Sequence, residues 1–450
     1  MLKCSSSRSV LTIVPCGVMA LTVVPAHAGG FALEAQSAKA IGAALAGTQA
    51  ARAEPGFATF NPATIVGVSS TEISFSAIGV ITDSEIEDAN GLLLGAVPVT
   101  GDPAAEGIID NAIVPSIAIS HPLSDRIFLG LNVHAPFGLA SRYSDTSIAR
   151  YHAQDTELTV IAATAILGIE VNDHLSIAAG PRVQYSEFFV SGLSDAAGIV
   201  TALGGTGFVP GQDDVPFAID GDDVAFGYVA GLQATVSPSF RVGFSYTSKM
   251  EHDFEGAASF EVENSVAGQF LQGTTGLFQD TTFNSTLNLP AAFQLGAQLD
   301  ITPDVTLLAS TAFTRWSKFE NVAAEFDNPA QPDEVLTQDF NDTWSVSGGV
   351  EKRFGPDTAV RAGVMYDESP VNDAFASPRI ADNDRVWVTA GLSKQLSTRA
   401  ELHVGGAYIF VKERQYEIAG ALPEHAFRGA FSGAFNSSTV LLSAGLDFSF

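Results

Sequence analysis

Along much of this chain, apolar side chains occupy every second position. In the closing stretch SSTVLLSAGLDFSF, Val440, Leu442, Ala444, Leu446, Phe448 and Phe450 are apolar, while of the residues between them Ser443, Gly445, Asp447 and Ser449 are small or polar and only Leu441 is not. Successive side chains of a strand point to opposite faces, so this pattern predicts a β-strand with one apolar face. The same alternation runs from Leu175 to Tyr185 in LSIAAGPRVQYS and from Leu289 to Leu299 in LPAAFQLGAQLD. It recurs in shorter form at Val242, Phe244 and Tyr246, and at Val386, Val388, Ala390 and Leu392. Six short turn-like connections fall near Pro122, Asn172, Pro238, Pro303, Pro356 and Thr398. Seven long connections, rich in Gly, Asp, Asn and Phe, fall around residues 82–112, 135–156, 188–223, 251–284, 318–341, 367–384 and 411–437. Short and long connections alternate, and together they separate fourteen strands.

An even strand count, short turns at one end and long loops at the other describe an all-β fold: a 14-stranded antiparallel transmembrane β-barrel. In a soluble sandwich the apolar faces would turn inward and charge would cover the outside. Composition favours lipid instead. The 450 residues are 46% hydrophobic and only 16% charged, with a mean hydropathy of +0.21, against about 25% charged in an ordinary soluble domain. Beyond the first thirty positions there is no run of about 20 apolar residues that would make a spanning helix. A closed barrel is the other way to cross a bilayer with every backbone group paired. The terminal Phe450 also resembles the aromatic end that outer-membrane barrels present to their assembly machinery.

The first 28 residues read as a secretory signal peptide. Lys3 and Arg8 precede the apolar LTIVPCGVMALTVV, and Ala26-His27-Ala28 supplies a small-x-small cleavage site before Gly29. Cys4 and Cys16 are the only cysteines, so the mature chain would carry no disulfide and no thiolate metal site. Loss of Lys3 and Arg8 takes the net charge from −28 to −30, which excludes nucleic acid as a partner. The expected partners are outer-membrane lipid and lipopolysaccharide. Residues 29–69 lack the alternation and are rich in Ala and Gly; they predict a hatch, or plug, folded into the lumen of a barrel formed by residues 70–450. SAKAIGAALAG within this segment predicts a short helix.

GFALEAQSAKAIGAALAG followed by FNPA resembles the N-terminal hatch of the FadL-type long-chain fatty acid transporters, a family that includes the aromatic-hydrocarbon porins. HAPFGLASRYSDTSIARYHAQDTEL, VNDHLSIAAGPRVQY, LPAAFQLG, RWSKF, and DESP followed by DNDRVW continue the resemblance in order over nearly the whole mature chain. The resemblance implies a hatch-plugged barrel of the bacterial outer membrane. A hydrophobic compound docks in a groove between two outer loops, passes to an inner pocket, and leaves sideways where the third strand is kinked. Transport is passive, with no cofactor, and the expected cargo is a long-chain fatty acid or another hydrophobic small molecule. A monomer is the expected state.

The resemblance maps the hatch turn onto Asn61, Pro62 and Ala63. It maps the kink onto Pro136, Phe137 and Gly138 at the end of the third strand, where Pro removes a donor and Gly admits unusual dihedrals. Taken without the family, Pro136 and Gly138 equally describe an ordinary strand-end turn. Leu203, Phe208 and Phe217 in one long loop, and Phe270, Leu271 and Phe278 in another, are apolar where the chain should be wet. They form either a substrate groove or a self-packed loop core. Arg150, Arg182 and Arg361 are candidates for binding a carboxylate, since a guanidinium meets it bidentately; the alternative for each is a structural pair with Asp or Glu.

Other chemistry finds little support. Asp220, Asp222 and Asp223 lack the spacing of an EF-hand loop. Gly204, Gly205 and Gly207 are not followed by the lysine of a phosphate loop. No GxSxG or HExxH occurs, and no metal site or enzyme activity is expected. The reading is an outer-membrane transporter for hydrophobic compounds, most simply long-chain fatty acids. Hydrocarbon or aromatic cargo, or a general aqueous porin, are the alternatives.

Overall fold

The computed structural model describes residues 30–420 and 425–450. The signal peptide expected over residues 1–28 lies outside the described residues.

Fourteen antiparallel strands close into one barrel. They are β1 (Glu72–Leu93), β2 (Ala112–Pro122), β3 (Ile127–Ser141), β4 (Thr156–Asn172), β5 (Leu175–Asp195) and β6 (Asp214–Ser237). After these come β7 (Phe240–Thr247 and Met250–Phe260), β8 (Thr281–Leu289 and Ala292–Thr302), β9 (Val305–Thr314) and β10 (Thr343–Arg353). The last four are β11 (Thr358–Asp367), β12 (Arg385–Ser397), β13 (Ala400–Val411) and β14 (Ala430–Ser449). Pairing of β1 with β14, from Glu72↔Ser449 to Leu92↔Ala430, closes the ring. Among the described residues no helix is long and apolar enough to cross a membrane; the strands cross it.

The alternation sorts side chains as expected in the lower wall. Leu442, Phe448, Ile177, Val183, Val386 and Val388 are exposed on the outer face, while Ser443, Ser176, Gln184 and Arg182 are buried inside. On the outer face a row of rings crosses five adjacent strands. Tyr228 meets Tyr246 at 5.7 Å, Tyr246 meets Phe293 at 4.9 Å, Phe293 meets Phe313 at 6.4 Å, and Phe313 meets Trp344 at 4.9 Å. Such girdles sit at the membrane–water interface, so this row marks the outer boundary of the hydrocarbon.

Strands run well past that boundary, and this changes three expectations. Phe217 lies in β6 rather than in a loop, and the long connection expected over 251–284 is β-structure as far as Phe260 and again from Thr281. Pro136 and Gly138 do not end β3, which continues to Ser141. Leu289 packs into the interior core rather than facing lipid, and Ala291 is buried. The last change arises at a shared irregularity, Ser248–Lys249 in β7 against Pro290–Ala291 in β8, where the inward-facing positions switch parity.

The hatch winds through the lumen as one turn of helix (Ala38–Ile41) and three short 3₁₀ turns, shorter helically than SAKAIGAALAG predicts. Wall glycines seat it. A Cβ on Gly243 would strike the carbonyl of Gln49, and one on Gly363 would strike the backbone of Ala43. Close backbone approach therefore requires glycine at these lumen-facing positions. Asn61 caps the turn Pro62–Ile65 by accepting from the Ala63 N–H at 3.0 Å, and its Nδ2 donates to the carbonyls of Gln49 (2.7 Å) and Leu232 (3.0 Å). The NPA turn thus ties two hatch segments to β6.

Candidate functional site

Three features lie in line through the outer half of the barrel: an apolar loop cluster, a chamber, and a break in the wall.

The loop cluster joins the two connections that flank β6 and β7. Helices Ala196–Ala202 and Val266–Thr275 carry Val200, Ala267 and Leu271 into one core with Phe260, Phe278 and Phe283. Leu271 and Phe278 are fully buried there, and Phe217 packs on the edge of the core. Phe208 and Phe270 face each other at 6.3 Å, with Phe270 half exposed. Leu203 is exposed and sits apart from the core. The six residues therefore divide: two rings form an accessible apolar surface, three hold the loops together, and one does neither.

The chamber, of about 140 Å³, lies inward of that cluster. Leu33, Phe60, Phe137 and Met250 supply apolar lining, and Glu34, His134, Arg182 and Gln184 supply polar atoms. Above it the lumen is packed by Phe31, Trp316, Phe319 and Phe340, in edge-to-face contacts of 4.8 to 5.7 Å. The 368–384 connection straps across this mouth. Arg379 donates to Thr156 Oγ1 (3.1 Å) and the Ser191 carbonyl (3.0 Å), and Tyr143 donates to the Pro378 carbonyl (3.2 Å). Below the hatch is a separate vestibule of about 580 Å³ lined by Lys39, Glu54, Arg241, Glu351, Arg361 and Glu401.

The three arginines are not equivalent. Arg361 belongs to the vestibule, paired with Glu351 at 2.7 Å and donating to Ser393 Oγ at 2.5 Å. Arg150 is a loop anchor, donating to the Thr100 carbonyl at 2.7 Å and lying 3.6 Å from Asp214. Arg182 faces the chamber, is buried, and donates to the Thr164 hydroxyl at 2.9 Å. Among the described residues no carboxylate pairs with it. A buried charge without a counter-ion is costly, which sets Arg182 apart from the other two. Glu34, on the hatch, does not serve as that counter-ion. Burial first, and then the Asp367 carboxylate, push its carboxyl up to about 8, with Arg385 pulling the other way; near neutral pH it is uncharged.

The wall is incomplete beside the chamber. β3 pairs with β2 only from Pro122↔Phe128 up to Ile117↔Val133, although β2 continues to Ala112 and β3 to Ser141. On its other side β3 stays paired with β4, through a bulge between His134 and Phe137 that contains Pro136. The hatch occupies the gap from inside. Leu33 donates to the Pro136 carbonyl at 2.8 Å, and the Gly138 N–H donates to the Phe31 carbonyl at 2.9 Å. Gln36 spans the two edges, with its Nε2 donating to the Ala135 carbonyl at 2.5 Å and its own carbonyl accepting from Ser116 Oγ at 2.5 Å. Sequence reasoning located Pro136 and Gly138 but not Phe31, Leu33 and Gln36, whose role depends on where the hatch docks.

A hatch-plugged barrel with an aromatic girdle, a polar vestibule below and a largely apolar chamber above defines the class: an outer-membrane transport barrel that handles hydrophobic molecules. The chain belongs to the outer membrane protein transport protein family (OMPP1/FadL/TodX), whose model matches residues 19–450. It is 27% identical over 408 residues to a long-chain fatty acid transport protein of Escherichia coli O6:H1, covering 87% of this chain and 89% of that one. In structure it is similar to a Pseudomonas aeruginosa FadL homologue, with a TM-score of 0.85 at 22% identity over 94% of this chain and all of that one. The toluene transporter TodX of P. putida gives a TM-score of 0.67 at 14% identity, over 93% and 99% of the two chains. The protein is an outer-membrane transporter of hydrophobic compounds, not an enzyme.

Proposed function

We propose that the protein takes up long-chain fatty acids passively, capturing them at the loop surface around Phe208 and Phe270 and releasing them sideways into the membrane through the β2–β3 gap. The observation that carries the cargo is Arg182. A buried guanidinium with no acid of its own among the described residues, in a chamber that also presents Leu33, Phe60, Phe137, Met250 and Met365, suits a ligand with one carboxylate and an apolar tail. The matched relative of E. coli O6:H1, named a long-chain fatty acid transport protein, supports the same cargo. Sideways release follows from where charge lies. The route downward passes the hatch and enters a vestibule lined by Lys39, Glu54, Arg361 and Glu401, where an acyl chain would lose its apolar surroundings. The route outward through the wall meets lipid.

Uptake of radiolabelled oleate by cells lacking their own transporter, set against toluene uptake by the same cells, tests the cargo. Arg182→Ala should reduce oleate uptake and leave toluene unchanged. Wild-type uptake of toluene without oleate would assign hydrocarbon cargo instead, and a large steady conductance in a planar bilayer would assign an aqueous porin.

A further inference from the structure

The β2–β3 gap is not the only break in the ladder. β6 and β7 pair from Ser237↔Phe240 up to Val229↔Thr247, and again from Glu255↔Asp222 up to Phe260↔Phe217. Between these stretches, residues 223–228 of β6 face residues 248–254 of β7 without register, although β6 stays paired with β5 and β7 with β8. The cause is one extra residue in β7 at Ser248–Lys249, which offsets the upper register from the lower by one. One backbone bond and two side-chain contacts bracket the interval where the ladder lapses. Below, the Ser248 N–H donates to the Tyr228 carbonyl at 3.0 Å, and the Tyr228 N–H donates to Ser248 Oγ at 2.9 Å. Above, His252 Nδ1 meets Asp223 Oδ2 at 3.0 Å.

At its lower end, beneath the buried His252 and Phe254, the interval is closed from inside by one flexible side chain. Met250 is buried and lines the chamber, and its sulfur lies over Gly227, where any Cβ would collide with it. A thioether on three rotatable bonds moves easily between packings. Aromatic rings flank the interval on both sides, and on the outside the exposed Lys249–Glu251 pair (2.9 Å) lies beside them. Toward the loops, Phe188 stacks edge-on with Phe254 at 4.7 Å and with Phe283 at 5.9 Å, which links the loop cluster to the chamber wall beside Met250. On the outside, Phe226 is 78% exposed just above the Tyr228–Tyr246 girdle. The two connections that carry Phe208 and Phe270 rise from the strands that border this interval.

We propose that the β6–β7 interval is the entry port of the transporter: a hydrophobic molecule held at the loop surface slips between Gly227 and Met250 into the chamber, and Met250 is the side chain that moves to admit it. This rests on the reading that the chamber receives an acyl chain. It makes the path enter and leave through two different seams, with no passage through the packed mouth.

A reversible lock tests it. A Cβ at Gly227 would lie 2.5 Å from Ser248 Oγ and closer still to the Met250 sulfur, so Gly227→Cys with Ser248→Cys is built on Met250→Ala, which clears that sulfur and leaves the two cysteines within disulfide reach. No cysteine other than Cys4 and Cys16 competes. The probe is cis-parinaric acid, a fluorescent fatty acid, mixed by stopped flow with the purified full chain in detergent micelles. Equilibrium binding should be the same oxidised or reduced, while the oxidised lock slows loading by about tenfold or more, as a blocked gate does. Reduction restores the rate, and Met250→Ala alone speeds loading. Loading of the oxidised lock at the reduced rate would overturn the port while leaving the chamber intact. Absence of parinarate binding by the wild type would overturn the chamber reading, and the port with it.

Discussion

Arg182 shows how a single side chain is assigned by what surrounds it. Arg150, Arg182 and Arg361 look alike in sequence. Each could bind a carboxylate or pair with a protein acid, because the partner that decides the matter lies on another element: Asp214 for Arg150, Glu351 on the neighbouring strand for Arg361, and, among the described residues, no carboxylate for Arg182. Hydrogen bonds to a charged group contribute about 1.5–3 kcal/mol, so Arg182→Ala should weaken oleate binding by roughly 10- to 150-fold, read by titration calorimetry. Binding of a fatty alcohol of the same length should change little. Glu34 adds a pH dependence. Its raised carboxyl, about 8 against an ordinary 4.5, is neutral at pH 7 and ionises above pH 8, bringing a negative charge into the chamber. Oleate affinity should fall as pH rises through 8, and Glu34→Gln should remove that fall. Stability carries the same sign: the folded state holds this proton more tightly than the unfolded chain, so the contribution of Glu34 declines from about pH 4.5 to about pH 8.

At the scale of elements, a strand is legible where its two faces meet different solvents. In β14, Leu442 and Phe448 meet lipid while Ser443 and Asp447 meet the lumen, and the period of two is plain in the sequence. Leu446→Arg, on the lipid face, should destabilise the barrel by about 2–4 kcal/mol if it lies at the midplane, measured by urea unfolding in lipid vesicles. Above the girdle the contrast reverses. In β7, Glu251, Asp253 and Glu255 face water, and His252 and Phe254 face the interior. A strand with charges outside does not resemble one with leucines outside, so this stretch reads as a loop. The bulge in β3 sits between these cases. Pro136 and Gly138 signal an irregularity, yet only pairing shows that the strand runs on and that β2 separates from it. Replacing both with Val should favour continuous β2–β3 pairing, and oleate uptake by cells should fall while binding to the purified protein persists.

For the whole molecule, the arrangement is a barrel shut at both ends and loosened in its wall. Aromatic packing and the 368–384 strap fill the outer end, and the hatch with its charged vestibule fills the inner end. Strand count, hatch and outer-membrane class were legible in the sequence, since each depends on composition and local alternation. An opening beside the third strand was expected at Pro136, Phe137 and Gly138 through the family resemblance, whereas the β6–β7 break was not, because a missing ladder is a relation between two strands and leaves no mark on either alone. The central claim is that cargo leaves through the β2–β3 gap, behind which hatch residues 31–36 sit. Behind that gap, Ala32 of the hatch and Phe137 of β3 form a bridged pair flanked, not joined, by hydrogen bonds, a geometry that brings Cα atoms to about 4.5 Å and admits a disulfide. The most direct measurement is oleate uptake by cells carrying Ala32→Cys with Phe137→Cys, oxidised and then reduced. Sideways release predicts that oxidation stops uptake while surface binding persists, and that reduction restores uptake. Uptake by the oxidised variant at the wild-type rate would contradict it and send the cargo out by another route.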